Sequence, residues 1–351
     1  MGSERTSCRR EFLRNCFAQA LVLTSGGAAD ALIGAEKTGE PSISRVSIAS
    51  DALLRGAATQ QGQAGTRKPG GNVDSARVLA LLDHAVGGLA SSGDPASAWA
   101  RVARPEQQVA IKVNTLGGRG LSSNVVLVEA ICERLQTAGI RAQDIVVWDR
   151  STEELERAGF RIRTGGNAVQ CYGTDRVGYE EELVSYGSVG SQLSRILTRH
   201  CDVLINVPVL KDHDGAGVSI ALKNMYGVIH NPNKYHPNGC DPYVADVNML
   251  AEIRSKLRLH ICDATAACFE GGPAFKPEFT WQPNALMVAE DPVALDQVGW
   301  ETVERKRAEE GLKTIAADGR APRYIATAAD KDHRLGTDDR KRIRIVETRV
   351  A

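Results

Sequence analysis

The sequence predicts an α/β protein: a mostly parallel sheet with helices on both faces, Rossmann-like in general plan. Short apolar runs alternate with stretches of helical periodicity, the order expected of consecutive βαβ units. The runs are apolar throughout rather than at every second position, as in strands covered on both faces. Polar residues gather at or just beyond the carboxyl ends of these runs, where open α/β sheets place their ligands.

From Val73 to Leu89 apolar residues recur at helical spacing (Val78, Leu81, Leu82, Ala85, Leu89), and glycines and serines close the segment. Val109 to Val113 reads as a buried strand, Asn124 to Ala138 as a helix and Asp144 to Trp148 as a second strand. Further strands are expected at Ala168 to Tyr172, Val203 to Val207, Leu257 to Cys262 and Ala285 to Ala289, with an edge strand at Arg342 to Val346. Helices are expected at Gln192 to Thr198, Val218 to Tyr226, Val244 to Lys256 and Pro292 to Arg305, the last capped by Asp291.

The amino terminus has a different character. Ser7-Cys8-Arg9-Arg10-Glu11-Phe12-Leu13-Arg14 has the order of a twin-arginine signal, and a weakly apolar stretch from Cys16 to Ile33 follows, with small residues around Ala29, Ala31 and Ala35. The expected organisation is a signal peptide over 1–35, a flexible tether over 36–72 and an α/β domain over 73–351. The implied partner is the twin-arginine translocation machinery, and the implied location is the periplasm or another extracytoplasmic space. Gln19, Thr24, Ser25 and Asp30 argue against a permanent membrane span. With 43 basic and 43 acidic residues the chain lacks the broad positive field of a nucleic-acid protein, so any anion site must be local. Six cysteines follow the signal (Cys132, Cys171, Cys201, Cys240, Cys262 and Cys268); an oxidising compartment permits disulfides among them, or they pack in the core. No Cys-x-x-Cys pair occurs, which argues against an iron–sulfur cluster.

The candidate site collects strand-end residues: Lys112 and Asn114, Asp149, Asn206, and Asp263. Each aspartate is open to a second reading as a cap or turn residue. The densest segment, Asn206 to Gly227, is expected to be a strand stopped by Pro208, then a loop with Lys211 and His213, a Gly-x-Gly turn, and a helix bearing Lys223 and Asn224 whose first amides could face an anion. Lysines in a cleft hold phosphate or carboxylate, or act as a base or covalent attachment point when their pKa is depressed. Lys211, His213 and Lys223 are therefore the candidate catalytic residues, and Lys112, Asn114, Asp149, Asn206, Asn224 and Asp263 the candidate ligand-binding ones. His213, His230, His236 and Cys240 are candidate ligands for a transition metal such as zinc, iron, copper or nickel, although their spacing matches no compact motif.

Val109-Ala-Ile-Lys-Val-Asn114, Leu204 to His213, Ala221-Leu-Lys-Asn-Met-Tyr-Gly227, Asp263 with Gly271-Gly-Pro273, and Asp291-Pro-Val-Ala-Leu-Asp296 together resemble the domain-of-unknown-function 362 family over about residues 105 to 305. That resemblance implies iron–sulfur association in many members, but this chain lacks the four-cysteine run. Lys211-x-His213, the glycine turn and Lys223 are also similar to the arrangement in nickel-pincer lactate racemases, an analogy at the level of the fold. Two functions are compatible with these residues. One is an enzyme with a cleft for a small anionic molecule; the other is a non-enzymatic periplasmic metal-binding or redox-accessory protein.

Overall fold

A computed structural model describes residues 43–56, 73–90 and 94–350. The twin-arginine segment, and with it the expected signal over 1–35, lies outside the described residues. Among the described residues thirteen strands are formed: β1 (Ser44–Ser50), β2 (Val109–Lys112), β3 (Ile145–Trp148), β4 (Gln170–Cys171), β5 (Val184–Tyr186), β6 (Val189–Ser191), β7 (Val203–Asn206), β8 (Val209–His213), β9 (Gly217–Ser219), β10 (Leu257–Cys268), β11 (Thr280–Trp281), β12 (Ala285–Ala289) and β13 (Ile343–Arg349). The described helices are α1 (Ser75–Gly87), α2 (Pro95–Val102), α3 (Val125–Thr137), α4 (Thr152–Ala158), α5 (Arg195–Arg199), α6 (Ala221–Asn224), α7 (Tyr243–Asn248), α8 (Ala251–Lys256), α9 (Pro292–Glu309) and α10 (Tyr324–Ala329).

The main sheet has the order β13-β1-β12-β10-β7-β2-β3-β4. From β10 to β4 every pairing is parallel, and β13 runs parallel to β1. Only β12, antiparallel to both β1 and β10, reverses direction along this path. The α/β, mostly parallel expectation is therefore met. The pleat then sorts the side chains: Val109 and Ile111 of β2 enter one hydrophobic core with α1, α2 and α3, while Ala110 enters the other with α5 to α10. Lys112 continues the Ala110 side, which fixes the face on which the chemistry is found.

Four expectations need correction. The segment expected to be a tether, 36–72, includes β1, whose Val46 and Ala49 are fully buried. Its alternation is weak because serines separate the apolar residues; pairing with β12 and β13 on both sides supplies what the pattern does not show. The Val203 strand does end before Pro208, at Asn206, but the chain resumes as β8, so Lys211 and His213 lie in a strand rather than a loop. The expected helix from Val218 begins instead as β9, antiparallel to β8, and only Ala221–Asn224 is α-helical before a 3₁₀ turn at Met225–Val228. Gly217 makes the hairpin possible: its φ is +81°, and a Cβ there would lie 2.3 Å from the Arg320 carbonyl oxygen. Finally, Val244 to Lys256 forms two helices, α7 and α8, because Leu250 is extended (φ −56°, ψ 130°).

Asp291 caps α9 as expected, accepting from the amides of Val293 and Ala294. The six described cysteines are all free, buried thiols. Among the described residues no helix is long and apolar enough to cross a membrane. Removing two methyl groups from the centre of β1 by Val46→Ala should lower the unfolding free energy by about 2–3 kcal/mol in chemical denaturation. Ser185→Ala on the exposed side of β5 should change it by less than about 0.5 kcal/mol.

Candidate functional site

A cavity of about 180 Å³ opens on the Lys112 side of the sheet, at the carboxyl ends of β2 and β3 and against the β8–β9 hairpin and α6. Lys112, Asn114, Asp149, Lys211, His213, Lys223, Asn224 and His236 all line it. It is enclosed by residues the sequence did not single out, including Arg150, Glu154, Ser219, Tyr226 and Asn233, and by the exposed Leu116.

Its floor is an ion pair between neighbouring strands. Lys112 Nζ lies 2.7 Å from Asp149 Oδ1 and donates to the Val113 carbonyl at 2.6 Å. Asp149 Oδ2 accepts from the amide and hydroxyl of Thr115, and Oδ1 from the Arg150 amide. Burial by itself raises the carboxyl pKa, but Lys112 and these hydrogen bonds outweigh it and hold Asp149 below the usual range. Gly227 covers the pair closely: a Cβ at that position would stand 2.5 Å from Lys112 Nζ.

Lys211 and His213 alternate with Asp212 along β8. The two cavity residues share one face, and Asp212 points to the other, where it accepts from the Gly272 amide (2.7 Å) and pairs with Arg320 (3.2 Å). Asp212 and Arg320 were not foreseen because the residues they join are 108 positions apart. Lys211 donates to Asn114 Oδ1 at 2.8 Å. Burial, opposed by Cys268 and Asp149 and aided by the Lys223 and Lys112 charges, brings its pKa down to about 8. His213 is neutral: burial first, then the charge of Lys223, pushes it down to about 2. Its Nδ1 accepts from the Gly215 amide at 3.1 Å, which leaves the ring proton on Nε2; the exposed Asp214 carboxylate beside the same nitrogen does not offset the burial.

The third lysine is held differently. Lys223 Nζ sits 4.1 Å from the Tyr226 ring centroid and 3.2 Å from His236 Nε2. His236 Nδ1 donates to the Pro232 carbonyl, so Nε2 carries the lone pair that accepts from Lys223. Burial lowers the pKa of both Lys223 and His236.

The three asparagines form a directed chain of amides. The Ala221 carbonyl can only accept, so it fixes the Asn206 amide nitrogen toward itself at 2.9 Å. His260, buried and neutral with a pKa pushed down to about 3, meets the same nitrogen at 3.0 Å. Asn206 Oδ1 must then accept from Asn224 (2.7 Å), Asn224 Oδ1 from Asn114 (3.0 Å), and Asn114 Oδ1 from Lys211. Asn206 is thus a buried support beneath the site rather than part of its lining.

Three other expectations are corrected. Asp263 lies within the long β10, fully buried, and binds the amides of Asn124 (2.6 Å) and Thr265 (2.8 Å) instead of facing the cavity. The first amides of α6 face the buried Asp296 carboxylate, at 2.7 Å from Ala221, and so are closed to an external anion. The expected metal ligands do not converge either. His230 is exposed and packs edge-on against Tyr179; Cys240 is buried with Sγ 3.8 Å from the His236 carbonyl oxygen. His213 and His236 stack with centroids 5.8 Å apart, and Lys223 occupies the His236 lone pair. Among the described residues no group of three His, Cys, Asp or Glu side chains has the geometry to hold a metal ion, so this set does not fit one.

Comparison with known proteins adds a family. The family model described as Domain of unknown function (DUF362) matches residues 109–301, which contain all the cavity-lining residues. No curated protein matches the chain. Among solved structures, the lactate racemase apoprotein from Thermoanaerobacterium thermosaccharolyticum is 12% identical with a TM-score of 0.34, covering 55% of this chain. The match spans about half (48%) of that protein's length.

The amide chain can be tested at its buried end. Asn206→Asp replaces the donor that faces the Ala221 carbonyl and His260 with a carboxylate, and should cost about 2–4 kcal/mol of stability near neutral pH. Because the introduced carboxyl would have a raised pKa, the deficit should shrink on acidification, when the protonated group can donate again. Denaturation measured across pH reads both effects.

Proposed function

The chain belongs to the domain of unknown function 362 family, and on that premise we propose that it is an enzyme whose cavity binds a small anionic substrate, a carboxylate or a phosphate. One observation carries the reading. Lys211 and Lys223 are buried, line one cavity, and have among the described residues no carboxylate within ion-pair distance, unlike Lys112 with its Asp149. An uncompensated buried ammonium is costly to folding, and an anion entering the cavity supplies the missing charge. Lys223, flanked by Tyr226 and His236, holds the substrate's charge. Lys211, titrating near the operating pH, moves a proton. The neutral His213 offers its Nε2 proton as a hydrogen-bond donor on the same face.

The pH dependence has a definite sign. Lys211 is an ammonium below about 8 and a neutral amine above it, so anion affinity should fall as pH rises through about 8. Calorimetric titration with phosphate and with a small carboxylate should show this step. Lys211→Met should remove the step and weaken binding near neutral pH by about tenfold, or ~1.4 kcal/mol. An affinity that is flat across this range in the unaltered protein contradicts the assignment.

We also propose export by the twin-arginine route, supported by Arg9-Arg10 followed by Phe12-Leu13 and the apolar stretch behind them. Cell fractionation should find the protein outside the cytoplasm, and replacing both arginines by lysine should retain it inside.

A further inference from the structure

Resting on the reading of the cavity as a small-anion site, we infer that Lys211 is a covalent nucleophile that forms an imine with the carbonyl of a small 2-oxo acid whose carboxylate is held by Lys223.

The three cavity lysines are chemically unequal. Lys112 is committed to Asp149 at 2.7 Å and to the Val113 carbonyl at 2.6 Å, contacts that occupy its protons. Lys223 lies over the face of Tyr226, a cation–π arrangement that favours the ammonium against the burial that lowers its pKa. Lys211 instead donates to an amide oxygen, Asn114 Oδ1, which accepts as well from a neutral amine and leaves the nitrogen lone pair free. The direction of the asparagine chain matters here. Were Asn114 turned the other way, its NH₂ group would face Lys211 and compete for that lone pair. The chain from Ala221 through Asn206 and Asn224 prevents the turn.

Burial favours the free amine and outweighs the opposing pull of Cys268 and Asp149, with Lys223 and Lys112 adding to it. With its pKa at about 8, Lys211 carries about two orders of magnitude more neutral amine near pH 7 than a solvated lysine. The cavity, at about 180 Å³, has room for a small acid.

The step balances without an oxidant or reductant. The Lys211 lone pair forms a bond to the carbonyl carbon while the C=O π pair moves to oxygen, which receives one proton from the nitrogen. The resulting carbinolamine loses its hydroxyl group together with the second N–H proton as water, and a neutral imine remains. His213, two residues along the same face of β8, can hydrogen-bond the carbonyl oxygen through Nε2–H as charge develops there.

Pyruvate is the probe. The full chain is incubated with pyruvate and sodium borohydride, which reduces an imine to a stable secondary amine, and the modified lysines are mapped by peptide mass spectrometry. Pyruvate binding is measured in parallel by calorimetry. The expected result is one reduced adduct concentrated at Lys211, exceeding that at the exposed Lys331 by on the order of tenfold, with little at Lys112 or Lys223. Lys211→Arg should abolish the adduct. Pyruvate binding without a Lys211 adduct overturns the imine but leaves the anion site standing, as does phosphate binding without pyruvate binding. If neither anion binds, both readings fail. Mapping of the unaltered protein decides the site even where Lys211→Arg does not fold.

Discussion

Lys112 and Asp149 come from adjacent parallel strands, and their contact decides what can be built around them. Each is nearly inaccessible to water, so each needs the other: removing one partner of a buried pair typically costs about 3–5 kcal/mol. Thr115 and the Arg150 amide complete the carboxylate's hydrogen bonds, and Gly227 is accommodated only because it has no side chain. With this pair closed on itself, the remaining lysines of the cavity are left without a carboxylate. The site owes its electrostatic character to that asymmetry.

Precision comes from the backbone. The pleat of β8 turns Lys211 and His213 to the cavity and Asp212 to a back side fastened by Gly272 and Arg320. The asparagine chain, anchored at a carbonyl that can only accept, orients the oxygen that meets Lys211. Side chains with no contact to the cavity, such as Asn206 and Asp212, thereby determine what the lysine can do. The burial that strips water from these groups also moves their protonation toward neutrality, which joins positioning and reactivity in one cause.

Much of this was legible in the sequence. The strands around 109, 145, 203 and 285 are continuous apolar runs, and their signal survives because both faces are buried. Lysines at the ends of such runs are unusual enough to mark a site. β1 was missed because Ser44, Ser47 and Ser50 dilute its pattern, and β9 because the glycine turn before a β-branched residue reads equally as a helix start. Asp263 and Asn206 sit among strand residues like the cavity-lining ones do, and sequence position does not distinguish a strand-borne residue that lines a cleft from one that braces the chain beneath it.

The sequence by itself determined the α/β class, the family, and which residue types meet at the carboxyl ends of the strands, because hydrophobic periodicity and local motifs are written along the chain. The tertiary structure alone decided which lysine is paired and which is not, which way each amide points, and that among the described residues His213, His230, His236 and Cys240 form no metal-holding group. Those outcomes depend on contacts between residues from 15 to more than 100 positions apart, and on the exclusion of water that only the closed core achieves.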